Sequence, residues 1–422
     1  MDKFKIERCK PLCGRVHISG AKNSCLPQMA AALLTEEQVL LENTPDLMDV
    51  RTMTQVLENL GVAVMRTADG ALELDPSEAN LVTAPYELVR RMRASYYVMG
   101  PLLARHGHAE VSLPGGCAIG QRPIDLHLKG LVALGAEINT SEGFVHLKAP
   151  GGLKGAPIDL AGEHGTSVGA TINVMMAATL AEGRTVISSA AREPEVEDVA
   201  VMLNSMGASI SGGGDHVIEI EGVRQLHGVT HRVIPDRIEA GTFAVAAAIT
   251  GGDVVISDCN PAHLTSVLQL LEQIGVDVEQ GRKTLLVRSH APLRPFQLET
   301  QPYPGFPTDM QAQFCALATC CHGKSTIVES IFENRAMHVP ELARLGAEIE
   351  VHGRTIEVSG PCALTSAPVM ASDLRASAAL VLAGLVSEGG CVVNRIYHLD
   401  RGYENLESKF VRLGASILRI SE

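Results

Sequence analysis

Tryptophan is absent from the 422 residues, and phenylalanine and tyrosine supply an aromatic share of only 3%. Any hydrophobic core must therefore be assembled from Leu, Val, Ile, Ala and Met. Positive charge is scarce too: 35 Lys and Arg stand against 48 Asp and Glu, a formal net charge of −13. That balance argues against a general nucleic-acid binder, so an anionic ligand would need basic residues concentrated locally against the overall charge. No apolar run reaches the roughly eighteen residues that a membrane span requires. The first ten residues carry charges where a secretion signal would be apolar, which leads us to expect a cytoplasmic protein. The ten cysteines lack a pairing pattern: positions 9, 13, 25, 117, 259, 315, 320, 321, 362 and 391 are scattered. Most read as small buried apolar residues in a reducing compartment. Neither Cys9-x3-Cys13 nor Cys320-Cys321-His322 has a second ligand pair at finger spacing, so no structural zinc is expected.

What is present is a soluble globular composition, 46% hydrophobic and 20% charged, in a chain too long for one ordinary core. The tag Leu-Gly-Ala/Val, with Met206 or Ile274 in place of Leu in the third and fourth copies, recurs at Gly61, Gly135, Gly207, Gly275, Gly346 and Gly414, about seventy residues apart each time. Before each tag runs a segment with apolar residues at helical spacing, such as Leu264, Val267, Leu268, Leu271 and Ile274. Each glycine then occupies a helix C-cap position. Upstream, six Ala-rich segments (23–34, 93–105, 166–181, 239–249, 309–321 and 374–386) are apolar on every side, which marks buried helices, and each precedes a short β-branched strand. Adding a leading strand such as 158–161 or 231–234 gives a six-copy unit with the order βαβαββ.

The sixth copy stops straight after residues 416–420, while strand-like residues 4–8 and 15–19 have no unit of their own. We therefore expect both N-terminal strands to complete the last repeat. The expected domains are residues 21–232, with three repeats, and residues 1–20 plus 233–422, with the other three.

Within the unit, the start of the buried helix and the turn after its strand are the places where layered α/β folds bind anions. Lys22 and Asn23, Arg93, Ser167, Asp236 and Arg237, Thr308 and Asp309, and Asp373 with Arg375 fall at the first place. Arg192 and Glu193, Glu333-Asn334-Arg335 and Asp400-Arg401 fall at the second, as does the stretch 113–123. That stretch, Leu-Pro-Gly-Gly-Cys-Ala-Ile-Gly-Gln-Arg-Pro, cannot form helix or central strand, so it reads as a loop carrying Cys117, with Arg122 near enough to favour thiolate. Each residue has a plainer reading: Lys22 as a solvated lysine, Asp309 as a helix N-cap, and Asp373 with Arg375, and Arg401 with Asp400 or Glu404, as local ion pairs. Together they predict a cleft lined with Arg and Lys, suited to carboxylate and phosphate, with a thiol on a mobile loop. His322-Gly-Lys-Ser-Thr326 imitates the tail of a phosphate-binding P-loop, but Ala318 stands where that motif needs glycine, and the segment joins helix to strand.

The motifs Gly20-Ala-Lys-Asn23, Leu113-Pro-Gly-Gly-Cys117, Arg122-Pro-Ile-Asp-Leu126, Ser167-Val-Gly-Ala-Thr171, Pro235-Asp-Arg-Ile238, Tyr303-Pro-Gly-Phe-Pro-Thr-Asp309, Asp373-Leu-Arg-Ala-Ser377 and Asp400-Arg-Gly-Tyr-Glu404 resemble those of the UDP-N-acetylglucosamine 1-carboxyvinyltransferase family of enolpyruvyl transferases. The resemblance runs from end to end. It implies a two-domain inside-out α/β barrel with three pseudo-symmetric βαβαββ repeats per domain. It also implies transfer of the enolpyruvyl group of phosphoenolpyruvate to the 3′-hydroxyl of UDP-N-acetylglucosamine, a step of peptidoglycan synthesis, without metal or organic cofactor. Under it Asp309 takes the position of the base and Cys117 that of the acid that protonates the methylene carbon and is open to the epoxide fosfomycin. Lys22, Asn23, Arg122, Arg335, Arg375 and Arg401 match phosphoenolpyruvate contacts. Arg93, Arg122, Pro123, Ile124, Asp125, Leu126, Gly165, Thr166, Ser167, Val168, Asp309 and Ile331 match contacts to the nucleotide sugar. Met48 and Gly165 stand where some members carry lysine. The partners so implied are the two small molecules, with no nucleic acid, no membrane, and a monomer or weak homo-oligomer. Rival readings are a relative acting on shikimate 3-phosphate, against which Cys117 speaks, and an idle paralogue that only binds the UDP-sugar.

Overall fold

The computed structural model describes residues 2–421, apart from 91, 114–123, 163–164 and 291. The chain divides at Ser19/Gly20 and at Ile234/Pro235 into two compact units, one made of the N-terminal segment with residues from Pro235 onward, the other of the stretch between.

The repeated unit is clearest in the third copy: strand Pro157–Asp159, helix Val168–Ala178, strand Arg184–Ser188, helix Pro194–Ser205, then strands Ser209–Ser211 and Val217–Glu221. Its four strands form one sheet in which the leading strand lies parallel to the strand after the buried helix, and the other neighbours are antiparallel. Six such four-stranded sheets are present among the described residues. Inside one unit, helices Arg237–Thr250, Gln311–Ala318 and Leu374–Val386 pack on one another. In the other, Val168–Ala178 packs on both Met99–His106 and Lys22–Ala31, and Lys22–Ala31 packs on the 3-10 segment Arg93–Val98 that leads into Met99–His106.

Composition explains why these helices can sit inside. Arg237–Thr250 buries every residue from Ile238 to Ile249, mostly alanine and other small side chains that let helices approach closely. Asp236 caps it, its carboxylate accepting from the amides of Ile238 (2.8 Å) and Glu239 (2.9 Å). The outer helices bury a single stripe: Thr265–Ile274 covers Val267, Leu268, Leu271 and Ile274 and leaves its other face to solvent. It stops at Gly275. The six tag glycines have φ between 95° and 106°, the left-handed conformation that closes a helix without a Cβ clash.

The two N-terminal strands go to different places, which corrects the expectation that both complete the sixth repeat. Lys3–Glu7 does complete it, lying antiparallel between Cys391–Asn394 and Ser416–Ile420 in the position that the last strand of a unit takes elsewhere. Cys13–His17 instead lies parallel to Asp253–Ser257 and serves as leading strand of the fourth repeat. By the same logic Val229–Arg232 does not lead into the copy that follows it. It lies parallel to Val39–Glu42, in the first repeat. The error came from assuming that a leading strand directly precedes its helix in sequence. A parallel neighbour needs only a crossover, and a chain that leaves one unit after Cys13–His17 and returns after Val229–Arg232 exchanges the two leading strands.

Candidate active site

In the unit that begins again at Pro235, three of the sequence-predicted residues converge. Thr308–Met310 forms one 3-10 turn at the head of the buried helix Gln311–Ala318. Its Asp309 carboxylate does not cap that helix. One oxygen accepts from Nη2 of Arg335 at 2.6 Å and the other from Nη2 of Arg375 at 2.9 Å. Both arginines are buried, while the Asp309 side chain retains 27% exposure. Burial taken alone would raise the Asp309 carboxyl, but the two guanidinium charges and their hydrogen bonds overcome it and hold the group well below the usual carboxylate range.

Each arginine is held in turn. Arg335 gives a second hydrogen bond, from Nη1 to the Thr308 hydroxyl at 2.8 Å, and its guanidinium lies 5.1 Å from the centre of the Phe332 ring. Arg375 stands over the ring of Tyr403, whose hydroxyl is 2.9 Å from that of Thr242. Gln313 donates to the Tyr403 hydroxyl and to the backbone carbonyl of Asp309 at 3.0 Å. Nη1 of Arg375 is buried with no hydrogen-bond partner, a donor left over for an anion.

The other local pairings predicted here differ. Asp373 caps Leu374–Val386 by accepting from the amides of Arg375 and Ala376, and so leaves the Arg375 guanidinium to Asp309. Asp400 pairs with Arg419 at 2.6 Å rather than with Arg401, which ends the 3-10 segment Ile396–Arg401 half-buried. Ile331 is half-buried, and its amide donates to Glu329 at 2.9 Å.

In the other unit, Lys22 opens the buried helix Lys22–Ala31, followed by half-buried Asn23. Far from being solvated, Lys22 is 12% exposed and lies 3.1 Å from Asp49, itself 4% exposed. One turn on, Asp198 accepts from Ser24 (2.5 Å) and Gln28 (2.7 Å) and lies 2.9 Å from Nε2 of His231, tying the same helix to strand Val229–Arg232. Ser167 caps Val168–Ala178 through the Ala170 amide at 3.2 Å, next to Thr166 and to Gly165, whose φ is 96°. Ile124 and Leu126 pack against the apolar core at the start of helix Asp125–Ala133, with Asp125 exposed. Arg93 opens the 3-10 segment Arg93–Val98, and its side chain lies outside the described structure. Cys117, Arg122 and Pro123 also lie outside the described residues.

Sequence reasoning missed Asp49, Asp198, Glu329 and Tyr403. A signal existed for the first: the amphipathic helices of the first three repeats all carry an acidic residue in their first turn, Asp49, Asp125 and Glu195. Nothing comparable marks Glu329, which stands just past its strand.

An arginine pair gripping one carboxylate at a buried-helix head, with a donor to spare, makes a place suited to an anion on a scaffold of repeated βαβαββ units, and comparison supplies the class of protein. The chain belongs to the family described as EPSP synthase (3-phosphoshikimate 1-carboxyvinyltransferase), whose model matches residues 6–410. Within it the similarity is to proteins called UDP-N-acetylglucosamine 1-carboxyvinyltransferase. The one from Maricaulis maris is 54% identical over 424 residues, covering 100% of both chains, and that from Hyphomonas neptunium is 53% identical over 425 residues, covering 100% of this chain and 99% of the relative. Among solved structures, the enolpyruvyl transferase NikO from Streptomyces tendae matches with a TM-score of 0.89 at 27% identity, over 100% of this chain and 99% of that one. An EPSP synthase from Acinetobacter baumannii, at 20% identity and TM-score 0.76 over 100% of both chains, shares the fold. That fold is the two-domain α/β architecture expected of enolpyruvyl transferases. Among the described residues no helix is long and apolar enough to cross a membrane.

Proposed function

We propose that this chain transfers the enolpyruvyl group of phosphoenolpyruvate to the 3′-hydroxyl of UDP-N-acetylglucosamine and releases phosphate, in the cytoplasm, as a step of peptidoglycan synthesis and so of cell-wall growth, shape and division. The observation that carries this reading is identity above 50% over the full length with relatives of that name. The likeness to EPSP synthase structures is much weaker, which places shikimate 3-phosphate second as acceptor.

The chemistry divides between the named residues. Asp309 takes the proton of the 3′-hydroxyl as its oxygen bonds to C2 of phosphoenolpyruvate, while Cys117 gives a proton to the methylene carbon. Loss of a proton from that carbon and cleavage of the C2–O bond then release phosphate and restore the double bond. Lys22, Arg122, Arg335, Arg375 and Arg401 hold phosphate and carboxylate, with Asn23 at the reacting centre. Arg93, residues 122–126 and 165–168, and Ile331 hold the UDP-sugar.

The arginine pair bears directly on how Asp309 is used. A carboxylate pinned between two guanidiniums is a weak base. The anionic substrate competes for those guanidiniums, and the unpartnered Nη1 of Arg375 offers it a first hold. As the arginines turn to the substrate, Asp309 loses cationic contacts and its basicity rises where the acceptor hydroxyl must be deprotonated. The substrate thereby arms its own base.

Phosphate release from phosphoenolpyruvate, measured with each acceptor in turn, tests the reading. We expect release with UDP-N-acetylglucosamine, a loss of about a hundredfold or more in Asp309→Asn and in Cys117→Ser, and inactivation by fosfomycin through Cys117. Release with shikimate 3-phosphate alone, or nucleotide-sugar binding without release, would refute it.

A further inference from the structure

Glu329 is buried at 4% exposure, just past strand Gly323–Val328, and four donors converge on its carboxylate. One oxygen accepts from the Thr300 hydroxyl (3.0 Å) and the amides of Ile331 (2.9 Å) and Phe332 (3.0 Å). The other accepts from the Thr308 hydroxyl at 2.9 Å. A hydroxyl has one proton, and here Glu329 takes it. The lone pairs of Thr308 are thus free to receive Nη1 of Arg335 at 2.8 Å, while Nη2 of the same guanidinium grips Asp309 at 2.6 Å. The two amides that Glu329 holds also fix the turn on which Phe332 lies beneath Arg335.

We infer that Glu329 is a positioning residue for this site: acting through the Thr308 hydroxyl and the 331–332 turn, it sets the orientation of Arg335 and hence the charge that Asp309 feels. Its relevance to catalysis rests on the function proposed above; its effect on Asp309 does not. An amide at position 329 cannot do the same work. In Glu329→Gln, either the NH2 group faces two backbone amides, or it donates to Thr308, whose proton then loses its acceptor and whose oxygen is shared between two donors. Both outcomes loosen the guanidinium.

The charged groups facing Asp309 are Arg335, from the turn after its strand, and Arg375, from helix Leu374–Val386. Asp236 and Tyr403 act on Arg375, and His338 lies within the field of both Arg335 and Asp373. Thr308→Val changes no charge, and Glu329→Gln removes a carboxylate whose loss alone would move Asp309 the other way, so a rise in either variant reports the loosened arginine.

The test is a titration of the Asp309 carboxyl by carbon NMR in ligand-free protein labelled at aspartate. We expect Thr308→Val and Glu329→Gln to move its titration to higher pH, and Thr308→Ser, which keeps the hydroxyl, to leave it at the wild-type position. An unchanged Asp309 titration in folded Thr308→Val overturns the inference, even if that variant is less stable. Turnover is read separately. With UDP-N-acetylglucosamine as acceptor, Thr308→Val lowers kcat about tenfold or more through misplacement and Thr308→Ser restores it. A wild type that releases no phosphate would refute the proposed function while the titration still decides the role of Glu329.

Discussion

At the scale of single residues, this structure places charges where their worth depends on company. Lys22, 12% exposed, lies 3.1 Å from Asp49, 4% exposed, so that the two opposite charges leave water together. His338 shows the opposite solution. It is 1% exposed, its Nε2 has no hydrogen-bond partner, and burial pushes its pKa from 6.5 down to about 4, with Arg335 adding to the effect and Asp373 opposing it. The folded protein therefore keeps His338 neutral over a range in which the unfolded chain protonates it. Folding stability tied to this residue is complete above pH 6.5 and drains away as pH falls to about 4, a loss of roughly 3 kcal/mol. Urea midpoints measured from pH 7 to pH 4 should fall less steeply in His338→Gln than in the wild type. Parallel curves would show that His338 does not titrate in this way.

That Asp309, Arg335 and Arg375 gather at one place was legible in the sequence, but which pairs with which was not. Asp309, Arg335 and Arg375 stand out because equivalent positions of successive repeats are polar. That Asp309 faces two arginines rather than its own helix amides is set by side-chain direction from residues 26 and 66 positions away, which spacing along one repeat does not encode. Glu329 escaped because its role is made of hydrogen bonds to a hydroxyl and two backbone amides.

At the scale of elements, strand Lys3–Glu7 carries the most consequence for its length. It is an interior strand, hydrogen-bonded on both sides to strands near the other end of the chain. Phe4 and Ile6 face the core, at 0% and 1% exposure. Ile6→Ala should cost about 2–5 kcal/mol, the usual range for emptying a buried aliphatic site, far more than an N-terminal position ordinarily does. A thermal or urea midpoint within error of the wild type would show that this strand adds little to the sheet. The repeat count, the buried helices and the glycine caps could all be read from periodicity, because each is a local pattern repeated six times. The assignment of Cys13–His17 and Val229–Arg232 could not. Both are short strands whose neighbours are chosen by pairing across more than 180 residues, and either leading position would suit their composition.

At the scale of the whole molecule, the described residues form two apolar cores with no residue in common. One draws on Phe4, Ile6, Leu12 and Val16 together with residues from Ile238 onward, and the other lies wholly between Cys25 and Val233. Stability should thus be partitioned discontinuously along the sequence. Phe243 offers a clean lever: it is fully buried in the first core, with its ring 4.9 Å from that of Phe410. Phe243→Ala should cost about 3–5 kcal/mol there, by removing buried surface and leaving a cavity. In hydrogen exchange, the amides of residues 3–7 and 13–17 should then lose protection together with those of 253–257 and 391–394, more than 200 residues away, while helix Lys22–Ala31, only five residues beyond His17, keeps its own. Exchange that instead follows sequence proximity, with residues 13–17 behaving like 22–31, would mean that the N-terminal strands do not belong energetically to the core they pair with. The test is direct because the two assignments predict opposite behaviour for neighbouring peptides.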